Sequence, residues 1–173
     1  LSFWEANGYR TVHLSVTANA TSGEHSALML SPTSAVGREL TDRHVRWFRE
    51  RIASQLADPL SGVDPDVVRG AIAGATLPNE NEAKPSLALD ERGWRLLAGV
   101  AYGPGTYEAA PHVFRRLAMA QLTESIAALS PRDERLLIRK ALQGAPWATV
   151  ADELDFVSER ECKRAFGSIA KAF

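Results

Sequence analysis

The sequence predicts an α+β chain: an N-terminal two-stranded antiparallel remnant of a larger sheet, then a mainly α-helical domain ending in a helix-turn-helix-like three-helix unit. Three observations predict it. Strict apolar alternation is confined to the stretch "TVHLSVTA" and the short run after it. From about residue 41 onward, apolar residues recur at helical spacing between successive capping signals. No Met precedes Leu1, and the first ten residues already read as the end of a helix running into a strand, as expected for a piece of a larger protein.

The elements follow in order. In "TVHLSVTA", Val12, Leu14, Val16 and Ala18 fall on one face and Thr11, His13, Ser15 and Thr17 on the other, the pattern of a half-buried strand. "NATSGEH" supplies turn residues and "SALMLS" a second apolar run, so residues 10–31 predict an antiparallel pair. Two strands are marginal alone and need the sheet from which they were cut. Thr41 or Asp42 is expected to cap a helix carrying Val45, Phe48, Ile52 and Leu56 on its inner face. Asp64 then caps a helix with Pro65 at its first position. "TLPNENEAKPS" is polar and broken by prolines, which predicts an exposed flexible loop at about 75–87. Asp90 caps the next helix, with Trp94, Leu97 and Val100 or Ala101 on one face. "HVFRRLAMAQLTESIAAL" predicts a long amphipathic helix with Phe114, Leu117, Ala118 and Ile126 inward and Arg115 and Arg116 on the surface.

The last 45 residues carry the clearest signals. Ser130 caps, Pro131 opens the helix, acidic residues fill the first turn and Gly144 marks the stop. "PWATVADELD" predicts a short helix and Ser158 caps the last one. A short helix, a tight turn and a capped helix with exposed cations is the helix-turn-helix pattern. The domain boundary is expected at residue 36/37.

Composition narrows the function. With 45% apolar and 24% charged residues the chain reads as an ordinary soluble protein. It has no apolar run near the roughly 20 residues of a membrane span, so a cytoplasmic location without membrane contact is expected. A single cysteine, Cys162, excludes an internal disulfide and a multi-cysteine zinc site. Residues 1–110 hold 10 Lys and Arg against 13 Asp and Glu, whereas residues 111–173 hold 10 against 8, a mild basic bias compatible with nucleic acid. His13, His25, His44 and His112 show no metal-ligand spacing, so no metal is expected. No serine-nucleophile elbow and no phosphate-binding loop occurs, and no residue is assigned a catalytic role.

The opening "FWEANGYRTVHLSV" resembles the end of the fourth helix and the following strands of GNAT-superfamily acetyltransferases. Many members place a Tyr at that helix end to protonate the leaving thiolate. Here the matching residue is Trp4, whose indole donates a hydrogen bond but cannot serve as that acid. The longer string, "FWEANGYRTVHLS", "SGEHSALML" and "SP", is similar to the close of the acetyltransferase module in the tRNA(Met) cytidine acetyltransferase family. "DERGWRLLAGVAYG", "FRRLA", "ERLLIRKALQ", "VADEL" and "CKRAFG" resemble that family's C-terminal helical region.

The resemblance implies a C-terminal fragment of an enzyme that acetylates N4 of a tRNA cytidine with acetyl-CoA and ATP. Residues 1–36 would end the GNAT module and residues 37–173 would bind tRNA, while the helicase-like module and the acetyl-CoA and ATP loops would lie upstream. Neither cofactor is then expected to bind this fragment strongly. Trp4, Glu5 and Arg10 are expected to line the acetyl-CoA site, although relatives often carry a basic residue where Glu5 or Ala6 stands. For tRNA, the expected contacts are Arg115, Arg116, Arg139, Lys140, Lys163, Arg164 and Lys171, cations on helix surfaces that meet phosphates without reading sequence. Two competing readings remain: a helix-turn-helix DNA-binding regulator centred on residues 129–173, and an interaction domain docking through Trp47 and Trp94. Strands without their sheet are also expected to allow pairing between two copies.

Overall fold

Alternation in "TVHLSVTA" yields strand β1, Arg10–Ala18, which pairs antiparallel with β2, His25–Leu30. In the computed structural model, which describes residues 1–77 and 89–173, the chain divides into two units, Leu1–Lys84 and Pro85–Phe173. This division differs from the boundary expected at 36/37, because two helices after the hairpin cover it and belong with it. Of the loop expected at 75–87, residues 78–87 lie outside the described residues; Ala75 and Leu77 before them are buried.

In the first unit a five-residue helix, α1 (Ser2–Ala6), leads into β1 through Gly8, whose φ of +82° suits glycine. The register shifts between Thr11 and His13 and again between Leu14 and Ala18. The alternating pattern is therefore only half kept. Val12 and Leu14 are buried, but so is Thr11, while Val16 is exposed.

The covering helix α2 spans Ala35–Leu56 and starts a full two turns before the expected cap. Ser34 is the N-cap, its hydroxyl accepting from the Gly37 N–H at 3.0 Å. Thr41 instead lies inside the helix, buried, with its Oγ1 donating to the Gly37 carbonyl at 2.8 Å. Val45, Phe48, Ile52 and Leu56 are all buried as their spacing predicts, each contributing about 2 kcal/mol of apolar burial. Arg51 ties α2 to the sheet, donating from Nη2 to the Val12 carbonyl at 2.7 Å.

Helix α3, Pro65–Ala73, has the predicted Asp64 cap and Pro65 start. Its end crosses β1 closely: the Thr11 N–H donates to the Gly74 carbonyl at 2.8 Å. A Cβ on Gly74 would sit 2.5 Å from Thr11 Oγ1, so only glycine fits there without a shift. Among the described residues β1 has one strand partner, β2.

The second unit is helical. Helix α4, Glu91–Tyr102, carries the Asp90 cap and buries Leu97 and Ala101, but Trp94 is 42% exposed rather than inward. Helix α5, Pro111–Glu124, stops short of Ile126: Ser125 takes a left-handed conformation at φ 50°. Gln121 replaces the lost helical bonds, accepting from the Ala127 N–H at 2.9 Å and donating to the Ala127 carbonyl at 3.0 Å. Helix α6, Pro131–Leu137, has its Ser130 cap and runs into a single π turn, Ile138–Leu142, that ends at Gly144 with φ 67°. Helices α7, Trp147–Glu153, and α8, Glu159–Ala170, complete the unit; Ser158 caps α8 as predicted. Phe114 and Phe166 meet in the core at 4.8 Å between centroids, flanked by Tyr107 and Trp147.

Candidate functional site

The cations nominated from the sequence separate into a buried set and an exposed set. Arg139 and Lys140, expected on a helix surface, are 9% and 8% exposed. The correction has a physical reason: residues 136–143 are buried without a break, so this segment is enclosed on all sides rather than amphipathic. Each charge is compensated there. Arg139 grips Glu153 with two bonds, Nε to Oε2 and Nη2 to Oε1, both 2.7 Å, and its Nη1 donates to Gln143 Oε1 at 3.0 Å.

Lys140 points its ammonium into an aromatic cage. Its Nζ donates to the Ala145 carbonyl at 2.9 Å and lies 4.6 Å from the Trp147 ring centroid and 5.1 Å from that of Tyr107. The Tyr107 hydroxyl donates to the Lys140 carbonyl at 3.1 Å, and Trp147 Nε1 donates to Glu108 at 2.7 Å. Burial lowers the pKa of Lys140, opposed by the Glu108 carboxylate. The Trp147 hydrogen bond, first among several causes, holds that of Glu108 below the usual range. Burial also raises the pKa of the Tyr107 hydroxyl and of the Cys162 thiol, which favours the protonated form of both.

The exposed set lies on α5 and α8. Arg116 is exposed and Arg115 half-buried on α5. On α8, Lys163 pairs with Glu159 at 3.5 Å and approaches the Trp147 ring, while Arg164 is exposed. Lys171 follows α8, exposed, with Nζ 5.4 Å from the Tyr102 ring centroid. Sequence reasoning offered Arg160, exposed on α8, only for the DNA-binding alternative, and it missed Tyr102, which is 77% exposed. The signal for Arg160 was its spacing of four from Arg164.

The nominated cofactor residues belong to the first unit. Trp4 is 48% exposed, its ring set edge-on to Tyr9 at 5.0 Å and to Phe3 at 5.4 Å. Glu5 and Arg10 are half-buried, and Arg10 Nη1 donates to the Tyr9 carbonyl at 3.2 Å. Phe3, at 69% exposure, is the outermost ring of this group. Among the described residues no group of three or more His, Cys, Asp or Glu could hold a metal ion, and no helix is long and apolar enough to cross a membrane.

Comparison with known proteins gives this arrangement a context. No protein-family model matches the chain. It is 52% identical over 168 residues, 96% of its length, to the tRNA(Met) cytidine acetyltransferase TmcA of Haloferax volcanii. It is 49% identical over 171 residues to the protein of that name from Haloarcula marismortui, and 33% identical over 157 residues to that from Nitrosococcus halophilus. The chain belongs to the tRNA(Met) cytidine acetyltransferase family. It spans about a fifth of the length of these curated relatives: 22%, 21% and 20%. Within the acetyltransferase family, then, it matches a segment whose described residues include a two-stranded hairpin and helices carrying exposed cations.

Proposed function

We propose that the chain is the tRNA-capturing C-terminal part of a tRNA cytidine acetyltransferase, with the hairpin closing the acetyltransferase sheet of the parent enzyme. The observation that carries this reading is the 52% identity sustained over 168 residues. The parent would transfer an acetyl group from acetyl-CoA to N4 of a tRNA(Met) cytidine. The amine nitrogen attacks the thioester carbonyl, the carbon–sulfur bond breaks, the nitrogen loses a proton and the thiolate gains one. That amine is delocalised into its ring and reacts poorly, so positioning dominates. Its base must also be unstacked, at a cost of a few kcal/mol, a task assigned to ATP hydrolysis in the helicase-like module.

In this reading Arg115, Arg116, Lys163, Arg164 and Lys171 meet tRNA phosphates, and Arg139 and Lys140 support them from within. Trp4, Glu5 and Arg10 border acetyl-CoA, with the leaving thiolate protonated by a group other than Trp4. The chain alone transfers little or no acetyl group. Bare strands of the hairpin would also let two copies pair; sedimentation as a monomer would count against that.

The test is binding of the 173-residue chain to folded tRNA and to duplex DNA of equal charge across a salt series. Preference for tRNA supports the reading, and Arg115→Glu with Arg116→Glu should weaken it and flatten its salt dependence. Preference for DNA would favour the helix-turn-helix reading, for which α7 and α8, joined by five residues, 154–158, are the relevant pair.

A further inference from the structure

The exposed face of α8 carries cations. Arg160 and Arg164 lie four residues apart, and Lys171 continues the same side just past the helix end. All three are exposed, and none forms an ion pair with a described residue. The helix has two carboxylates, both in its first turn and both engaged: Glu159 with Lys163 at 3.5 Å, and Glu161 accepting from the Val157 N–H at 2.9 Å. A phosphate backbone laid along this face therefore meets three donors, with the two carboxylates confined to the first turn beside Arg160.

At one end of the stripe stands Tyr102, the last residue of α4. Its ring is 77% exposed, far beyond what packing in the unit requires, and the Lys171 ammonium lies 5.4 Å from its centroid. Gly103 and Gly105 follow it closely against the backbone of Gly99, which fixes the chain where the ring emerges. An open aromatic ring beside a cation stripe is the pairing used by proteins that hold unpaired nucleotides: the cations take the phosphates and the ring takes a base face.

We propose that Arg160, Arg164, Lys171 and Tyr102 form one contact strip for RNA with an unpaired nucleotide, the three cations tracking the backbone and Tyr102 stacking on a base. The proposal rests on the tRNA-binding reading above and refines it, since phosphate contacts alone would serve a fully paired helix equally well. A paired helix offers no free base face to the ring. The strip thus favours a loop or single-stranded end over a stem.

The test measures affinity of the 173-residue chain, at fixed salt, for a hairpin RNA with an unpaired loop, for a blunt RNA duplex of equal charge, and for folded tRNA. Wild type, Tyr102→Ala, Tyr102→Phe and the Arg160→Gln, Arg164→Gln double variant are compared, with circular dichroism to establish that each is folded. Tyr102→Ala should weaken binding to hairpin and tRNA roughly 5- to 100-fold, leave duplex binding unchanged, and leave the salt slope unchanged; Tyr102→Phe should bind like wild type. The double arginine variant should lower affinity for all three RNAs and reduce the salt slope by about 2. If wild type binds tRNA but Tyr102→Ala does too, equally well, the strip is overturned while RNA binding stands. Equal losses for Ala and Phe would overturn stacking in favour of the hydroxyl. Failure of wild type to bind any RNA would overturn the underlying reading.

Discussion

Arg139 and Glu153 are locked face to face, two nitrogen–oxygen contacts of 2.7 Å joining the π turn to α7, with the arginine side chain 11% exposed and the glutamate 39%. Removing Glu153 strands a nearly buried cation, whereas removing Arg139 leaves a carboxylate still open to water. Arg139→Ala should cost about 3 kcal/mol, toward the lower end for a broken buried pair because Glu153 retains access to water. Glu153→Ala should cost at least as much, since the stranded Arg139 is the more enclosed. Urea unfolding of both single variants and the double variant would measure the coupling; additive effects would show that the pair contributes no mutual stabilisation.

Gly74 and Thr11 give a test of close packing. Gly74→Ala should destabilise the first unit by about 1–3 kcal/mol, because its methyl would overlap Thr11 Oγ1. That hydroxyl is buried and has no hydrogen-bond partner among the described residues. Thr11→Ala in the Gly74→Ala background should therefore recover part of the loss. Thermal melts of the three variants would show it, and a double variant no better than Gly74→Ala would locate the clash elsewhere.

The helix start at Ser34 is checked by paired substitutions. Ser34→Ala should cost about 1 kcal/mol through loss of its bond to the Gly37 N–H. Asp42→Ala, in the helix interior, should change stability by less than about 0.5 kcal/mol. Chemical denaturation of each variant decides between the two starts.

Glu108 contributes a pH signature. Its folded-state pKa is depressed, chiefly by the Trp147 hydrogen bond, so the unfolded chain takes up its proton first as pH falls. Its stabilising effect is fully present above the ordinary glutamate pKa and disappears as pH drops through the folded value. Denaturation followed by circular dichroism across an acid pH series should thus show a small acid-side loss of stability that Glu108→Gln abolishes. A variant with the wild-type profile would assign the loss to other carboxylates.

Much of the fold was legible because its helix starts are marked chemically. Asp64 before Pro65, Asp90, Ser130 before Pro131, and Ser158 all cap where a short polar side chain precedes helical periodicity. The start of α2 was hidden for a related reason. Its first two turns expose Val36 and Leu40, so no core-facing repeat announces them, and periodicity begins only at Thr41 and Val45. The end of α5 was hidden because Gln121 stabilises a break that no apolar pattern encodes.

The candidate site was legible in part. Lys163, Arg164 and Lys171 are exposed as expected, since α8 is strongly two-sided, with Cys162, Phe166 and Ile169 inward. Arg139 and Lys140 were misplaced because a central helix surrounded by neighbours reads, in sequence, like a surface helix with two cations. Only the partners distinguish the cases, and Glu153, Trp147 and Tyr107 come from other elements of the unit.

The inward turn of Arg139 and Lys140 changes how an anionic molecule would find the second unit. Formal charge credits residues 111–173 with ten cations, yet two of them are buried and bonded to partners inside. A polyanion drifting beyond the Debye length of about 8 Å feels little net pull from so balanced a unit. Capture would begin after collision, and only in orientations that bring one side of the molecule into touch, so discrimination would reside in the dwell time of the encounter rather than in its frequency.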